Sequence, residues 1–575
     1  MITSIVKKAK KKYNVDIDVT LTDRSVILKG EMSDWKDIVD VGKMFVDKKS
    51  NRRVVNDIVL KGYVPSKEYL PDIRDDSLQD TRWNVVVIGA GIIGCSVARE
   101  LSQLNASVLV VEKHSDVAHG ASGANDGMVH AGIDLKGKSL KLHYVVRGNA
   151  MYGKVCEQLG VDFRRDGQYV IFKDRLMRFL AKSMLVRARK HNIPSVTIIG
   201  KEMARLEPAV ASYCKGALRI GSTGAVSPYK LTIAYAENAC TNGVKFSFDT
   251  AVQSMVRVGR RVTAVVTNRG TLFADVVINC AGVFADKVAE MAQDRYFSIH
   301  PRKGTDLLLD KNAPDLPQHA ISLSPTLKGM RANKNTKGGG IVITVDGNVL
   351  LGPDAIETPE REDVSTTQQS VDNVFNKQKL CFPPLQKSSV IAYFSGVRAS
   401  TYEEDFIIER SGEVDNLIHV AGIQSPGLTA APAIALDVKE MAVSALKDSG
   451  VDVTYKQNWQ PVRKPPVCIR QLDRQTQQKY ISQNPDYGTI VCRCEEVSLG
   501  EIKDAVNNNL GVATVDGVKR RVRAGMGRCQ GGFCMPVVMK TIAQCKKTDI
   551  SQVRKGDIGS NLCYGEIKDK YRREE

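Results

Sequence analysis

The stretch Asn84-Val-Val-Val-Ile88, followed at once by Gly89-Ala-Gly91-Ile-Ile-Gly94, decides the fold. Its apolar run predicts a strand buried on both faces, and residues 95–104 continue as a helix. A second strand, 107–111, ends at Glu112. Strand, glycine turn, helix, strand and acid in this order predict a Rossmann-type βαβ unit that binds a dinucleotide.

Each glycine of this unit has its own physical role. Gly89 permits the tight turn, Gly91 lets the pyrophosphate approach the backbone, and Gly94 lets helix and strand pack closely. Glu112 lies 23 residues after Gly89, where a carboxylate can accept a hydrogen bond from a ribose hydroxyl. A glycine turn without a ligand is the alternative, and the fingerprint alone does not decide between FAD and NAD.

Four further segments resemble the D-amino-acid oxidase/glycerol-3-phosphate dehydrogenase superfamily of flavoproteins. In chain order they are 120–132, 277–286, 394–398 and 422–430. The resemblance covers residues 84–440 and implies FAD as the cofactor. It implies that the cofactor-binding residues beyond the fingerprint are Ser122, Asn125, Gly127, Gly282, Gly422, Gly427, Leu428 and Thr429.

The last segment, 422–430, can also be interpreted from its residues alone. Pro426 and Gly427 open an apolar helix, 428–438, whose free N–H groups give its first turn a positive potential. That potential would stabilise the negative charge of a reduced flavin. An ordinary capped helix is the alternative.

The resemblance implies oxidation of a C–H bond beside a hydroxyl or amine. Such a site needs a cation for an anionic substrate and a group that accepts a proton. Arg398 is the candidate for the anion, with a surface salt bridge as the alternative. Arg302 and Lys303 border the substrate cavity by resemblance, although either could be structural. His130 is the candidate proton acceptor, or else a buried histidine that only positions its ring.

Four cysteines near the C-terminus form a second motif. Cys492 and Cys494 are followed, after 34 residues, by Cys529 and Cys534. Four thiolates with nearby glycines suit a [2Fe–2S] cluster, and a structural zinc ion is the alternative. The segment resembles the BFD-like [2Fe–2S] domain.

Together the two segments resemble the anaerobic-type FAD-dependent glycerol-3-phosphate dehydrogenases. The implied reaction converts sn-glycerol 3-phosphate to dihydroxyacetone phosphate, and the electrons leave through the cluster to an acceptor protein or a quinone-linked subunit. Two alternatives stay open. One is a dehydrogenase or oxidase of another small anion, such as L-2-hydroxyglutarate or an amino acid, and the other is a non-catalytic electron-transfer subunit.

The formal net charge of +18 comes from basic residues that are mostly scattered, so we expect no nucleic-acid site. No apolar stretch is long enough to span a membrane and the N-terminus lacks the pattern of a signal peptide, so we expect a cytoplasmic, reducing location. In that location the 13 cysteines are expected to be thiols or metal ligands rather than disulfides. Peripheral association with a membrane and a homo-oligomer are both left open.

The sequence predicts an α/β fold: a Rossmann-type FAD-binding domain with an inserted mixed-sheet substrate domain. A small α+β domain precedes it and a small helical [2Fe–2S] domain follows it. The N-terminal pattern of strands and helix resembles a BON domain. The predicted limits are 1–62 for the N-terminal domain, 63–83 for a linker, 84–445 for the oxidoreductase domain, 446–488 for a second linker region, 489–545 for the cysteine domain and 546–575 for a charged tail.

Overall fold

The structure is a computed structural model that describes residues 2–47, 50, 52–210, 212–324 and 339–565. The first unit contains α1 (Ile2–Tyr13), β1 (Asp18–Leu21), β2 (Ser25–Met32), α2 (Trp35–Met44) and β3 (Arg53–Leu60). The next elements are β4 (Arg82–Ile88), α3 (Ile92–Leu101), β5 (Val108–Val111), β6 (Met128–Val129), α4 (Leu140–Leu159), β7 (Phe163–Arg164), β8 (Gln168–Ile171), α5 (Arg175–Lys190), β9 (Val196–Ile199), α6 (Glu202–Leu206), β10 (Ala217–Ile220), β11 (Gly224–Val226), α7 (Pro228–Thr241), β12 (Lys245–Ser247), β13 (Val252–Val258), β14 (Arg261–Thr267), β15 (Gly270–Asn279) and α8 (Ala285–Met291).

The second half continues with β16 (Ile299–Leu309), β17 (Ala320–Leu323), β18 (Gly340–Ile343), β19 (Val349–Gly352), β20 (Ile356–Glu357), α9 (Gln368–Cys381), β21 (Val390–Thr401), β22 (Ile407–Arg410), β23 (Leu417–Ala421) and α10 (Gly427–Asp448). The C-terminal elements are α11 (Arg474–Gln483), β24 (Ile490–Cys492), β25 (Val497–Ser498), α12 (Leu499–Val506), α13 (Val515–Val522) and α14 (Met535–Lys546).

The nucleotide-binding sheet has the order β12-β5-β4-β15-β14-β13, and β23 also pairs with β15. Strands β12, β5, β4, β15 and β23 run parallel, as the βαβ fingerprint predicts. Helices α3, α4, α7 and α10 supply much of the main apolar core beside this sheet. The Rossmann-type α/β fold expected from the sequence is confirmed.

A second, mixed sheet carries the substrate side of the molecule. Its order is β20-β16-β19-β18-β17-β8-β10-β9, with β21 paired along β16. The long antiparallel pair β16–β21 places Arg302 directly opposite Arg398. Because the strands of this sheet come from chain segments between nucleotide-sheet strands, it is an insertion, as predicted.

The N-terminal unit has a three-stranded sheet, β1-β2-β3, with α1 and α2 packed against it. The sequence periodicity indicated α2 and the strands but not α1, because the apolar face of α1 is short and the rest of the helix is largely lysine. The unit contacts the larger domain through the Arg24–Asp294 ion pair at 2.6 Å and a hydrogen bond from Asn56 to the Tyr402 hydroxyl at 2.9 Å.

Two of the predicted irregular stretches are more ordered than expected. The region 446–488 contains the end of α10 and all of α11, because Asp473 caps α11 by accepting a hydrogen bond from the N–H of Thr476. In the predicted charged tail, Val553 is buried and Asp557 accepts a hydrogen bond from the N–H of Ser115 at 3.0 Å. The tail therefore packs on the nucleotide domain at these positions, and its last ten residues lie outside the described part of the chain.

No helix within the described residues has both the length and the apolar character needed to cross a bilayer.

Candidate functional site

The glycine turn has the geometry that its residues predict. Gly89 has a φ of +101°, and a side chain at this position would meet the carbonyl oxygen of Cys280 at 2.6 Å. A Cβ at Gly94 would lie 1.9 Å from the oxygen of Gly89, so only glycine allows α3 to approach β4. Gly91 faces open space apart from Ser122 Oγ at 3.1 Å. The N-terminus of α3 is therefore accessible to a phosphate.

Glu112 and Ser122 lie beside this turn. The Glu112 carboxylate accepts hydrogen bonds from the N–H of Ala90 at 2.7 Å and of His114 at 3.0 Å. Ser122 Oγ accepts from the N–H of Ile92 at 2.9 Å. Asn125 shapes the same loop, since its amide donates to the carbonyl oxygens of Ala121 and Ser122. These groups hold the loop open in front of α3.

A cavity of about 2630 Å³ runs from this turn to the mixed sheet. Ordinary ligand pockets enclose roughly 300–1,000 Å³, so this cavity has room for a dinucleotide and a substrate together. Its lining includes eight of the twelve predicted cofactor-binding residues: Gly89, Gly91, Glu112, Ser122, Asn125, Gly282, Gly427 and Leu428.

The other four predicted cofactor residues act behind the wall of the cavity. Gly94 packs α3 on β4 as described above. Gly127 lies against the carbonyl oxygen of Val226, which a Cβ would meet at 2.3 Å, and Gly422 lies against Thr401. Thr429 is buried, and its hydroxyl accepts the N–H of His130 at 2.9 Å. In this structure Gly127, Gly422 and Thr429 lie behind the lining of the cavity, and their assignment to the cofactor stays a prediction.

His130 lines the cavity where β6 ends, close to the N-terminus of α10. Its backbone is fixed at both sides, because its N–H donates to Thr429 and its carbonyl oxygen accepts from the Asn149 amide at 2.9 Å. These two bonds fix the backbone of His130 close to the helix that begins at Gly427.

Arg398 is a partly buried cation that lines the cavity at the mixed sheet. Its guanidinium donates to the carbonyl oxygens of Asp354 at 3.0 Å and of Lys303 at 3.4 Å. Among the described residues, no carboxylate forms an ion pair with it, so the surface salt bridge considered from the sequence is excluded there. Burial lowers the pKa of Arg398. A partly buried cation with neutral partners is suited to an anionic ligand.

Arg302 differs from its neighbour across the strand pair. It donates to Glu357 at 2.9 Å and to Glu404 at 2.5 Å, and both carboxylates flank its guanidinium. Burial tends to raise the pKa of Glu404, but the hydrogen bond from Arg302 outweighs it and the pKa falls to about 2. Arg302 lines the cavity, but two carboxylates already balance its charge, and it also donates to Gln424. Its predicted part in catalysis stays a prediction, and these contacts favour a role in positioning Glu404 and Gln424.

Two lining residues were missed by the sequence analysis. Lys377, on α9, faces the cavity, and burial lowers its pKa. Burial raises the pKa of Asp306 well above its usual range, the carboxylates of Asp126 and Asp354 add to this, and Arg398 opposes it. Its Oδ1 has no hydrogen-bond partner among the described residues. No local motif marks either residue; only the fold brings them to the same cavity as Arg398.

The four cysteines come together as two pairs. Cys494 and Cys529 have their sulfurs 3.6 Å apart. A hydrogen bond from the Cys534 thiol lowers the pKa of Cys492 to about 6, and the N–H groups of Gly525 and Glu495 favour its thiolate further. The first pair is partly exposed and the second is buried.

The spacing of the sulfurs separates iron–sulfur from zinc. Four thiolates about 2.3 Å from one tetrahedral zinc ion would all lie about 3.8 Å from one another. Within the described chain, however, no three cysteine sulfurs lie within 4.8 Å of one another. Two separate pairs fit a [2Fe–2S] cluster, in which each iron takes two thiolates. Cys492, Cys494, Cys529 and Cys534 would hold this cluster.

Three arginines of the cysteine domain form ion pairs and hydrogen bonds with the oxidoreductase domain beside the large cavity. Arg521 forms a buried ion pair with Asp116 at 2.8 Å, and Arg520 donates to the carbonyl oxygen of Val117 at 3.2 Å. Arg520 also bonds His119, which lines the cavity, at 2.8 Å. Arg523 bridges Glu495, beside the cysteines, and Asp346 of the oxidoreductase domain. The two candidate sites therefore share a rigid boundary.

Comparisons with known proteins agree with both sites. The family model described as FAD dependent oxidoreductase matches residues 84–441, and the model described as BFD-like [2Fe-2S] binding domain matches residues 490–544. Neither match includes the N-terminal unit, so the resemblance of that unit to a BON domain stays a prediction.

Three similar proteins illustrate the relationship. A glycerol 3-phosphate dehydrogenase of Caloramator mitchellensis is 36% identical over 84% of this chain and 99% of its own length. One of the subunits of the anaerobic glycerol-3-phosphate dehydrogenase of Escherichia coli strain K12 is 27% identical over 80% of this chain and 87% of its own length. The solved structure of dithionite-reduced L-alpha-glycerophosphate oxidase from Mycoplasma pneumoniae, with FAD bound, has a TM-score of 0.61, with 26% identity over 67% of this chain and all of that one.

The glycine turn, the cavity and the paired cysteines thus agree with what these comparisons establish: the chain belongs to the family of FAD-dependent oxidoreductases and carries a BFD-like [2Fe–2S] domain.

Proposed function

We propose that this protein oxidises sn-glycerol 3-phosphate to dihydroxyacetone phosphate and passes the electrons through its cysteine domain to another protein. The observation that carries the proposal is the partly buried guanidinium of Arg398, whose hydrogen-bond partners are neutral carbonyl oxygens in a cavity large enough for FAD and a substrate. The similar proteins named above act on glycerol 3-phosphate, which supports this choice of anion.

FAD, when bound, supplies the acceptor for a hydride from the carbon that carries the hydroxyl group. The residues of this chain bind and orient the substrate and accept its proton. Arg398, with Lys377, binds the phosphate group, because both lie near Asp354 at the same end of the cavity. A charge-assisted hydrogen bond in a buried site is stronger than a neutral one and holds the substrate in one orientation.

His130 receives the hydroxyl proton as the hydride leaves. Its backbone, held by Thr429 and Asn149, lies close to the N-terminus of α10. That helix end carries positive potential, which stabilises negative charge developing nearby. Asp306, whose burial favours the neutral form, can hydrogen-bond to a substrate hydroxyl without repelling the phosphate.

Cys492, Cys494, Cys529 and Cys534 would hold a [2Fe–2S] cluster, which would supply a one-electron exit for the electrons of the substrate. In this proposal the acceptor is another protein, which can be a quinone-linked one, and the small anionic substrate is the donor. Peripheral membrane attachment, a homo-oligomer and a cytoplasmic location stay predictions from the sequence.

An anaerobic titration tests the proposal. We expect sn-glycerol 3-phosphate to bleach the flavin absorbance stoichiometrically, and L-2-hydroxyglutarate and small amino acids to leave it unchanged. Bleaching by one of the latter instead would assign the site to that anion. Bleaching by none of them would favour a protein that only transfers electrons.

A further inference from the structure

The cysteine domain presents an exposed apolar residue next to its ligands. The phenyl ring of Phe533 is 84% exposed, although the N–H of the same residue donates to the sulfur of Cys529. Burying such a ring would be favourable, yet nothing in the described chain covers it. A partner that covered this ring would gain free energy from removing its apolar surface from water.

Phe533 lies two residues before α14, and several other exposed residues are near the four cysteines in the chain. Val537, in the first turn of α14, is 44% exposed, and Lys540 lies three residues later on the same face of that helix. We call Phe533, Val537, Lys540, Arg493 and Arg528 the cysteine face. Arg493 stands between two ligands and Arg528 stands immediately before the third, and both are exposed.

The charge of the cysteine face is mainly positive. It has three cations, while Glu495 is buried and already paired with Arg523, Arg470 and Lys311. Arg528 shares an ion pair with Asp310 at 3.1 Å but keeps most of its side chain in solvent, and Glu496 is the exposed carboxylate of the same loop. An aromatic residue with surrounding arginines is typical of the centre of a protein interface.

The position of the face relative to the sulfurs suggests its purpose. Cys494 and Cys529 are the partly exposed pair, whereas Cys492 and Cys534 are buried. Electron transfer weakens steeply with distance, so an acceptor should approach the exposed pair. A partner packed on the ring of Phe533 would lie within a few bonds of a ligand sulfur.

We propose that the cysteine face is the docking surface for a small acidic redox protein, which takes up one electron per encounter. The proposal rests on the proposed function above, because it names the partner for the same electrons. Two encounters oxidise the protein by the two electrons that one substrate molecule supplied, and each reduces the partner by one.

Binding to a defined probe tests the proposal independently of turnover. The probe is flavodoxin, a small acidic flavoprotein, and cytochrome c serves as a basic redox protein for comparison. The affinity of the intact, cofactor-loaded protein for each is measured by calorimetric titration at low and high salt. We expect flavodoxin to bind more tightly than cytochrome c, and its affinity to fall as salt is added.

Two substitutions locate the surface. Phe533→Ser and Arg493→Glu should each weaken flavodoxin binding about fivefold or more, as expected for central interface residues. Phe179→Ser removes another exposed phenylalanine, 63% exposed on α5, and Arg189→Glu reverses another exposed charge, so both serve as matched controls that keep full affinity. Iron content and the visible spectrum establish that each variant retains its cluster.

Equal affinity of wild type and Phe533→Ser, or tighter binding of cytochrome c than of flavodoxin, would overturn the proposal. Anaerobic flavin bleaching by glycerol 3-phosphate is measured on the same samples. If bleaching fails in the wild type while flavodoxin binding depends on Phe533, the proposed substrate is wrong and the docking surface stands. If bleaching is normal and the substitutions in the cysteine face leave the affinity for flavodoxin unchanged, only the docking proposal is wrong.

Discussion

Replacing Arg398 with alanine removes the partly buried cation that we assign to the substrate anion. Two unit charges 4 Å apart attract each other by about 4 kcal/mol at an effective dielectric constant of 20. Water that enters the emptied space would recover part of this, so we expect a loss of about 2–4 kcal/mol in binding. Since 1.4 kcal/mol corresponds to a factor of ten, kcat/KM should fall roughly 30- to 700-fold.

The assay is the anaerobic reduction of the flavin by glycerol 3-phosphate, followed in a stopped-flow instrument over a range of substrate concentrations. The loss should be in the concentration for half-maximal rate, since the cation binds the phosphate in ground state and transition state alike. Arg398→Lys should recover part of the loss, because it restores the charge without the forked geometry.

Arg219→Ala provides the matched control, because Arg219 is an exposed arginine on β10. Flavin content and thermal stability identify variants that have simply lost their fold. An unchanged half-saturation concentration in a well-folded Arg398→Ala protein would refute the assignment. A loss of maximal rate alone would refute it too, since that would place the guanidinium at the reacting atoms.

Three further predictions concern the glycine turn, the cysteines and the buried carboxylates. Gly94→Ala should abolish FAD retention, because its Cβ would lie 1.9 Å from the oxygen of Gly89, whereas Gly153→Ala, with no atom near its Cβ, should keep full flavin content. Cys529→Ser should lower the iron content and the cluster absorbance, and Cys545→Ser should not; equal iron in both variants would contradict the ligand set. The pKa of Glu404 is lowered to about 2 in the fold, so its carboxylate stabilises the native state above its unfolded pKa, and this contribution is lost as pH falls towards 2. Glu404→Gln should therefore be less stable than wild type at pH 7, with the difference shrinking as the pH falls below about 4, in urea unfolding at each pH; a constant difference would contradict the ion pair.

The parts of the site that the sequence predicts correctly are those with local causes. The spacing of Gly89, Gly91 and Gly94 is itself a local signal, and Gly94 avoids the oxygen of Gly89, five residues earlier. The sequence does not show that Gly89 also lies against the carbonyl oxygen of Cys280. The four cysteines likewise indicate a metal site. Their spacing does not predict which of them pair, because Cys494 lies beside Cys529, 35 residues later in the chain.

The features that the sequence does not show have non-local causes. The sequence does not show that carboxylates pair with Arg302, because its partners Glu357 and Glu404 are 55 and 102 residues away in the chain. Arg302 was therefore predicted to be available for a substrate. Lys377 was missed since a lysine on a helix carries no motif, and only the packing of α9 brings it to the cavity. The sequence describes residues 546–575 only as a charged tail. Its charge pattern does not show that the Asp557 carboxylate accepts a hydrogen bond from Ser115, far away in the chain.

The arginines of α13 have a consequence for how the protein matures in the cell. Arg520 and Arg521 hold the loop 116–119, and His119 of that loop faces the flavin cavity. We expect a chain that has received no iron to fold its cysteine domain less stably, because four thiolates without a metal ion give no bonds that hold the domain together, and this loop then loses its anchors. We therefore expect protein made in iron-starved cells to be deficient in flavin as well, so that the supply of one cofactor limits the loading of the other. The ratio of flavin to protein after growth with and without iron measures this dependence, and an unchanged ratio would show that the two loadings are independent.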